Sequence, residues 1–139
     1  MYTFLVAVDG SQHSRRAVQY AARRARVSAC RVALLHVETP VMAWEVGAVS
    51  STEAVAICRE DESQMLLDAG VAEFDRGVEV VKHAVEGDPA KVILEQAAKL
   101  HADEIVIGSR GLRPLGAALL GSVAYKVLHD ANIPVVVVH

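Results

Sequence analysis

Short, unbroken apolar runs separated by segments of helical period constrain this chain more than any other feature. Phe4 to Val8, Leu34-Leu35-His36-Val37, Ile105 to Ile107 and Val135 to Val138 lack the polar alternation of a half-exposed strand. A strand that reads this way is covered on both faces, as in a parallel sheet flanked by helices. Strand and helix patterns alternate along the chain, which is the signature of an α/β fold.

The elements follow in order. Strand one runs from Phe4 to Val8, and Asp9-Gly10-Ser11 then turns the chain, with Ser11 as the N-cap of a helix. That helix places Ala17, Val18, Ala21, Ala22 and Ala25 on one face. Arg15, Arg16, Gln19, Arg23, Arg24 and Arg26 lie mostly on the other, and a solvated face is favoured over a phosphate site. Strand two covers about Arg31 to Val37. The stretch Glu38 to Ser51 has Pro40, Gly47 and no clean period, yet carries Val41, Met42, Trp44 and Val46. It reads as a loop that folds over a ligand. A helix from Thr52 to Arg76 follows, capped by Ser51 or Thr52, weakened at Gly70 and stopped by Gly77.

Strand three is Val78 to Val85. Gly87-Asp88-Pro89 opens the next helix with Asp88 at the N-cap and Pro89 at the first helical position. Ile93, Ala97 and Leu100 share its inner face. Strand four is Glu104 to Ile107, running into Gly108. The last helix spans Ser122 to Ala131 with Val123, Val127, Leu128 and Ala131 inward, and Asn132 ends it in a left-handed conformation. Strand five is Val135 to Val138. At 139 residues, without repeats or linkers, the chain reads as one domain over residues 1–139.

Composition narrows the function. Hydrophobic residues make up 53% but aromatic ones only 4%, so Val, Ala, Leu and Ile do the packing. A net charge of −3 leaves no basic footprint for nucleic acid. No apolar run approaches the roughly 18 residues of a membrane span, and the N-terminus lacks the basic region of a secretory leader. Cys30 and Cys58 have no metal or CxxC spacing and read as plain thiols, which fits a reducing cytoplasm. His36 reads as a satisfied core histidine. His13, His83, His101, His129 and His139 are scattered without metal-ligand spacing.

The segment after strand four carries the chemistry: Gly108-Ser109-Arg110-Gly111, nine residues, then Gly121-Ser122. In an open α/β sheet ligands sit beyond the carboxyl ends of the strands. Glycines there let phosphate oxygens reach backbone N–H groups. Gly121-Ser122 opens a helix whose amides and dipole favour an anion, and Ser122 either caps that helix or donates to a phosphate. Arg110 and Arg113 flank the loop, one of them suited to phosphate charge and Arg113 equally suited to water. GxxxxGK[ST] is absent, and Asp9-Gly10-Ser11 has a single glycine where GxGxxG needs three.

These residues together resemble the universal stress protein family over essentially the whole chain. The resemblance is carried by Val6-Ala7-Val8-Asp9-Gly10-Ser11, Leu35-His36-Val37, Gly87-Asp88-Pro89-Ala90 and Ala102 to Gly111. The close, Gly121-Ser122-Val123-Ala124 to Pro134-Val135-Val136-Val137-Val138, adds to it. The spacing Gly-x2-Gly-x9-Gly-Ser resembles the ATP-binding subgroup. It implies a three-layer, Rossmann-like open sheet of the adenine nucleotide alpha hydrolase-like type. Its five parallel strands run in the order 3-2-1-4-5 with helices on both faces. The resemblance also implies ATP as ligand, together with Mg2+. It puts Val8, Asp9 and Val37 beside base or ribose, and Gly108, Arg110, Gly111, Gly121, Ser122 and Val123 around ribose and phosphates. Asp9 near a metal is weighed against Asp9 capping the turn, and the cap is favoured. Met42 and Trp44 pack on the base or in a core or dimer contact.

Four valines on an edge strand are an aggregation hazard unless covered, and the family is similar in pairing this strand in a homodimer. Efficient phosphoryl transfer needs a base or water-orienting group and metal ligands, and the pattern offers no paired carboxylates. A nucleotide-dependent regulatory dimer of the stress response, acting on an unidentified protein partner, is therefore favoured over catalysis. A slow ATPase or autophosphorylating protein, or a module binding AMP or cyclic AMP, are the alternatives.

Overall fold

The computed structural model describes residues 1–40, 52–112 and 119–139. Five strands form one parallel sheet: β1 (Tyr2–Ala7), β2 (Cys30–Glu38), β3 (Glu79–Glu86), β4 (Glu104–Gly108) and β5 (Val135–Val138). Their order is β3-β2-β1-β4-β5, as expected. Among the described residues four helices surround them: α1 (Gln12–Ala25), α2 (Thr52–Val71), α3 (Pro89–Lys99) and α4 (Ser122–Asp130).

β1 is the centre of the sheet. Val6 lies opposite Leu34 of β2 on one side and Val106 of β4 on the other. Alternate residues of β1 enter opposite cores. Phe4 and Val6 pack with Val18, Leu34, Leu67 and Val106 under α1 and α2. Leu5 packs with Leu35, Ile93, Ile105, Ala124 and Val127 under α3 and α4. Both faces are therefore dry, which explains the unbroken apolar runs. Each such Leu or Phe contributes about 1.5–3 kcal/mol relative to an exposed side chain.

α1 lies close to the sheet because Ala17, Ala21 and Ala22 form its buried face. Arg15, Arg16, Arg23 and Arg26 are exposed, as a solvated face requires. Arg24 departs from them. It stands 5.5 Å over the Phe4 ring and donates to the Tyr20 hydroxyl at 2.8 Å. Asp88 caps α3 by accepting the Lys91 N–H at 3.2 Å, and Pro89 begins that helix.

Several boundaries differ from the sequence expectation. α2 ends at Val71 rather than Arg76, and it passes through Gly70 unbroken. A Cβ on Gly70 would stand 2.9 Å from Leu34 Cδ1, so this glycine lets the helix approach β2. α4 ends at Asp130. Asn132 does not adopt the left-handed conformation: among described non-glycine residues only His101 has a positive φ, 51°. Leu128 is 41% exposed instead of inward. Both edge strands are accessible, and all four valines of β5 are half-buried. Cys30 and Cys58 are free thiols, buried and exposed respectively. No described helix is long and apolar enough to cross a membrane.

Candidate functional site

The strand order reverses between β1 and β4, and a cleft opens beyond the carboxyl ends of β1, β2 and β4. This is the switch point where open α/β sheets take ligands. A cavity of about 610 Å³ occupies it. Val8, Asp9, Val37, Gly108, Arg110, Gly111, Gly121, Ser122 and Val123 all line that cavity. Residues more than a hundred positions apart in sequence thus meet at one place.

The wall after β1 is internally satisfied. Asp9 Oδ1 accepts the Ser11 N–H at 2.8 Å, Ser11 Oγ accepts the Ser14 N–H at 3.1 Å, and Ser14 Oγ accepts the Asp9 N–H at 3.0 Å. Asp9 therefore closes the turn through its side chain. Gly10 adopts φ +84°, and a Cβ there would stand 2.9 Å from Leu66 Cδ2 of α2. Turn geometry and close packing both demand glycine at that position.

The wall after β4 is organised differently. A Cβ on Gly108 would meet the His13 carbonyl carbon at 2.8 Å and the Ser14 nitrogen at 2.9 Å. Gly108 is small so that β4 can touch the first turn of α1, a structural reason beside any role toward a ligand. A Cβ on Gly111 would stand 3.0 Å from Asp9 Oδ2, so Gly111 keeps that carboxylate uncrowded. Ser109 is 1% exposed and lies outside the cavity lining. Its N–H donates to the Val138 carbonyl at 2.7 Å, and its carbonyl accepts the Gly121 N–H at 2.7 Å.

Gly121, not Ser122, is the N-cap of α4, and no side chain caps that end. Ser122 sits at the first helical position, exposed and lining the cavity. The Gly121 φ is −70°, a value open to any residue, so backbone freedom does not require glycine there. α1 and α3 each have a side-chain cap. Of the three helices whose N-terminal end is described, the uncapped one opens on the cleft. Its first N–H groups and its dipole are available to an anion.

The sequence reading missed one wall. Arg59, Glu62 and Ser63 of α2, with His36, Glu38 and Thr39 at the end of β2, line the cavity on its far side. Ser63 Oγ donates to Glu38 Oε1 at 2.5 Å, and Arg59 donates to the Thr39 carbonyl. Ser63 is 1% exposed and lies one turn before the fully buried Leu67. A polar residue in the buried stripe of α2 was the available signal. His36 is also a correction: its Nδ1 is satisfied by the Val8 carbonyl at 2.7 Å, but the ring is half-buried at the cleft rather than in the core. Met42, Trp44 and Arg113 lie outside the described residues. Among the described residues no group of three His, Cys, Asp or Glu is placed to hold a metal.

The family model described as "Universal stress protein family" matches residues 1–139. The chain belongs to the universal stress protein family. A universal stress protein of Mycolicibacterium smegmatis is 34% identical over 145 residues, covering 99% of this chain and 48% of that protein. The chain thus spans about half the length of that relative. A universal stress protein of Thermus aquaticus is also 34% identical, with 98% of this chain and 97% of that one covered. Solved universal stress proteins share the fold. One in complex with cAMP has a TM-score of 0.72 at 25% identity, covering 99% of this chain and 96% of that chain. One from Archaeoglobus fulgidus in complex with dAMP has a TM-score of 0.68 at 26% identity, covering 100% and 98%.

Proposed function

We propose that this universal stress protein binds an adenine nucleotide in the cleft, with ATP as the principal ligand. The observation that carries this reading is the uncapped N-terminus of α4 opening on the cavity. The backbone donors of Ser122 and Val123 would hold phosphate, with Gly121, whose own N–H is taken by the Ser109 carbonyl, keeping side-chain bulk away and Arg110 adding charge. Val8, Asp9 and Val37 would flank ribose and base. The complexes of related universal stress proteins with cAMP and dAMP support an adenine nucleotide. Mg2+ would travel with the phosphates, since the described residues offer no acidic cluster of their own.

Occupancy, rather than turnover, is the output in this reading. Ser109 is buried and outside the cavity, so it is badly placed to receive a phosphoryl group. The protein would act in the cytoplasm as a regulatory dimer paired through Val135–Val138, whose half-buried valines form an edge. Calorimetric titration with ATP and magnesium, beside AMP, cyclic AMP and GTP, tests the reading. Micromolar ATP binding is expected. In Gly121→Val that binding disappears while the oligomeric state in solution is unchanged, because the new side chain crowds the phosphate end. Unchanged affinity in Gly121→Val would sink the site, and cyclic AMP binding without ATP binding would reassign the ligand.

A further inference from the structure

The polar corner at the end of β2 has no part in the reading above beyond lining the cavity. His36 and Glu38 are two residues apart on one strand, so both side chains stand on the face that meets α2. Glu38 is fixed there by the hydroxyl of Ser63 at 2.5 Å. His36 Nδ1 is 2.7 Å from the Val8 carbonyl oxygen. A carbonyl oxygen only accepts, so Nδ1 carries the hydrogen. In the neutral ring this leaves Nε2 as an acceptor. The bond from Nδ1 to Val8 is the one the His36 ring makes among the described residues, and Nε2 has no hydrogen-bond partner among them.

From this arrangement we infer that His36 Nε2, with the Glu38 carboxylate beside it, is a specificity-determining acceptor that selects a base bearing an amino group at its edge. The inference rests on the nucleotide reading of the cleft and names the part of the ligand read at its far end. Distance assigns the base rather than the ribose to this corner. From β4, whose end leads to α4, across β1 to β2 is two strand spacings, about 10 Å in all. With phosphate at α4, the ribose takes the first spacing and the base the second. An exocyclic amine donates to Nε2. A carbonyl at the same place of the base sets acceptor against acceptor, and a buried mismatch of that kind is rejected more strongly than a lost contact alone.

The test compares AMP with IMP, which differ at that position in carrying an amine or a carbonyl. Wild-type protein is expected to bind AMP at least about tenfold more tightly than IMP, as one good hydrogen bond supplies. His36→Asn is the informative variant. Its amide nitrogen replaces Nδ1 on the Val8 carbonyl and leaves nothing at the Nε2 position. It is expected to keep the melting temperature of the wild type and to weaken AMP about tenfold while IMP is unchanged. His36→Gln, which reaches the Nε2 position, is expected to recover part of the preference. Equal AMP and IMP affinity in the wild type overturns the inference and leaves nucleotide binding standing. Equal weakening of both ligands in His36→Asn, with a lowered melting temperature, makes His36 a purely structural residue and also overturns it. Should His36→Asn fail to fold, the wild-type comparison of the two ligands decides alone. Failure of AMP, ATP and IMP alike removes the nucleotide reading itself.

Discussion

The β1–α1 turn and the start of α4 face each other across one cleft, and they treat their backbone donors in opposite ways. Both lie between the end of an inner strand and the start of a helix, and both contain glycine. After β1, Asp9, Ser11 and Ser14 take up one another's hydrogen-bonding groups, so the turn holds its shape through its own side chains. At α4, Gly121 supplies no cap, and the first helical turn is left open to the cavity. The difference shows how one sheet end is divided between holding shape and presenting donors. A capped helix start stabilises by itself, whereas an uncapped one leaves that contribution to whatever binds.

The largest effect is expected where the end of β4 meets the first turn of α1. Gly108 lies between them, and Gly108→Val would push the first turn of α1 off β4. A loss of about 1–3 kcal/mol, as overpacking costs, should appear in denaturant unfolding together with loss of ATP affinity. An unchanged midpoint would mean that the two walls are not in contact in solution. Next is Ser11→Ala, which removes the cap of α1 and should cost about 1 kcal/mol with a smaller change in ATP affinity than Gly121→Val. If Ser11→Ala weakens ATP as much as Gly121→Val does, the division between a shape-holding wall and a donor-presenting wall fails.

The smallest effect comes from β3, away from both walls. Burial, and then the charge of Lys99, lower the His83 pKa from its ordinary 6.5. The sign follows from which state takes the proton. Below about pH 6.5 the unfolded chain binds a proton that folded His83 resists, so stability is full above that pH and declines as pH falls. In His83→Asn the unfolding midpoint should decline less between pH 7 and pH 5. An identical decline would assign the pH response to other groups.

The central strands were legible because burial on both faces writes itself as continuous apolar sequence. Ser11, Asp88 and Pro89 were legible because capping chemistry is local. The cleft residues from Val8 to Val123 were legible through the family resemblance, and the structure brings them around one cavity. What was not legible depends on neighbours far along the chain. Gly70 read as a helix weakness because nothing local reveals Leu34 beneath it. Asn132 has the residue type of a left-handed stop, but the chain leaves α4 in an extended conformation at Ala131 instead. The wall of Arg59, Glu62 and Ser63 needed the docking of α2 on β2, which no window of sequence contains.

Ser109 is too buried to meet a ligand, yet its backbone N–H and carbonyl grip both the last strand and the start of the helix that opens the cleft. Its N–H holds Val138 and its carbonyl holds Gly121, on the two peptide planes either side of one Cα, so a single residue works like an axle with a wheel at each end. The cleft and the exposed edge of the sheet are in this sense tied to one backbone residue, with no side chain standing between them.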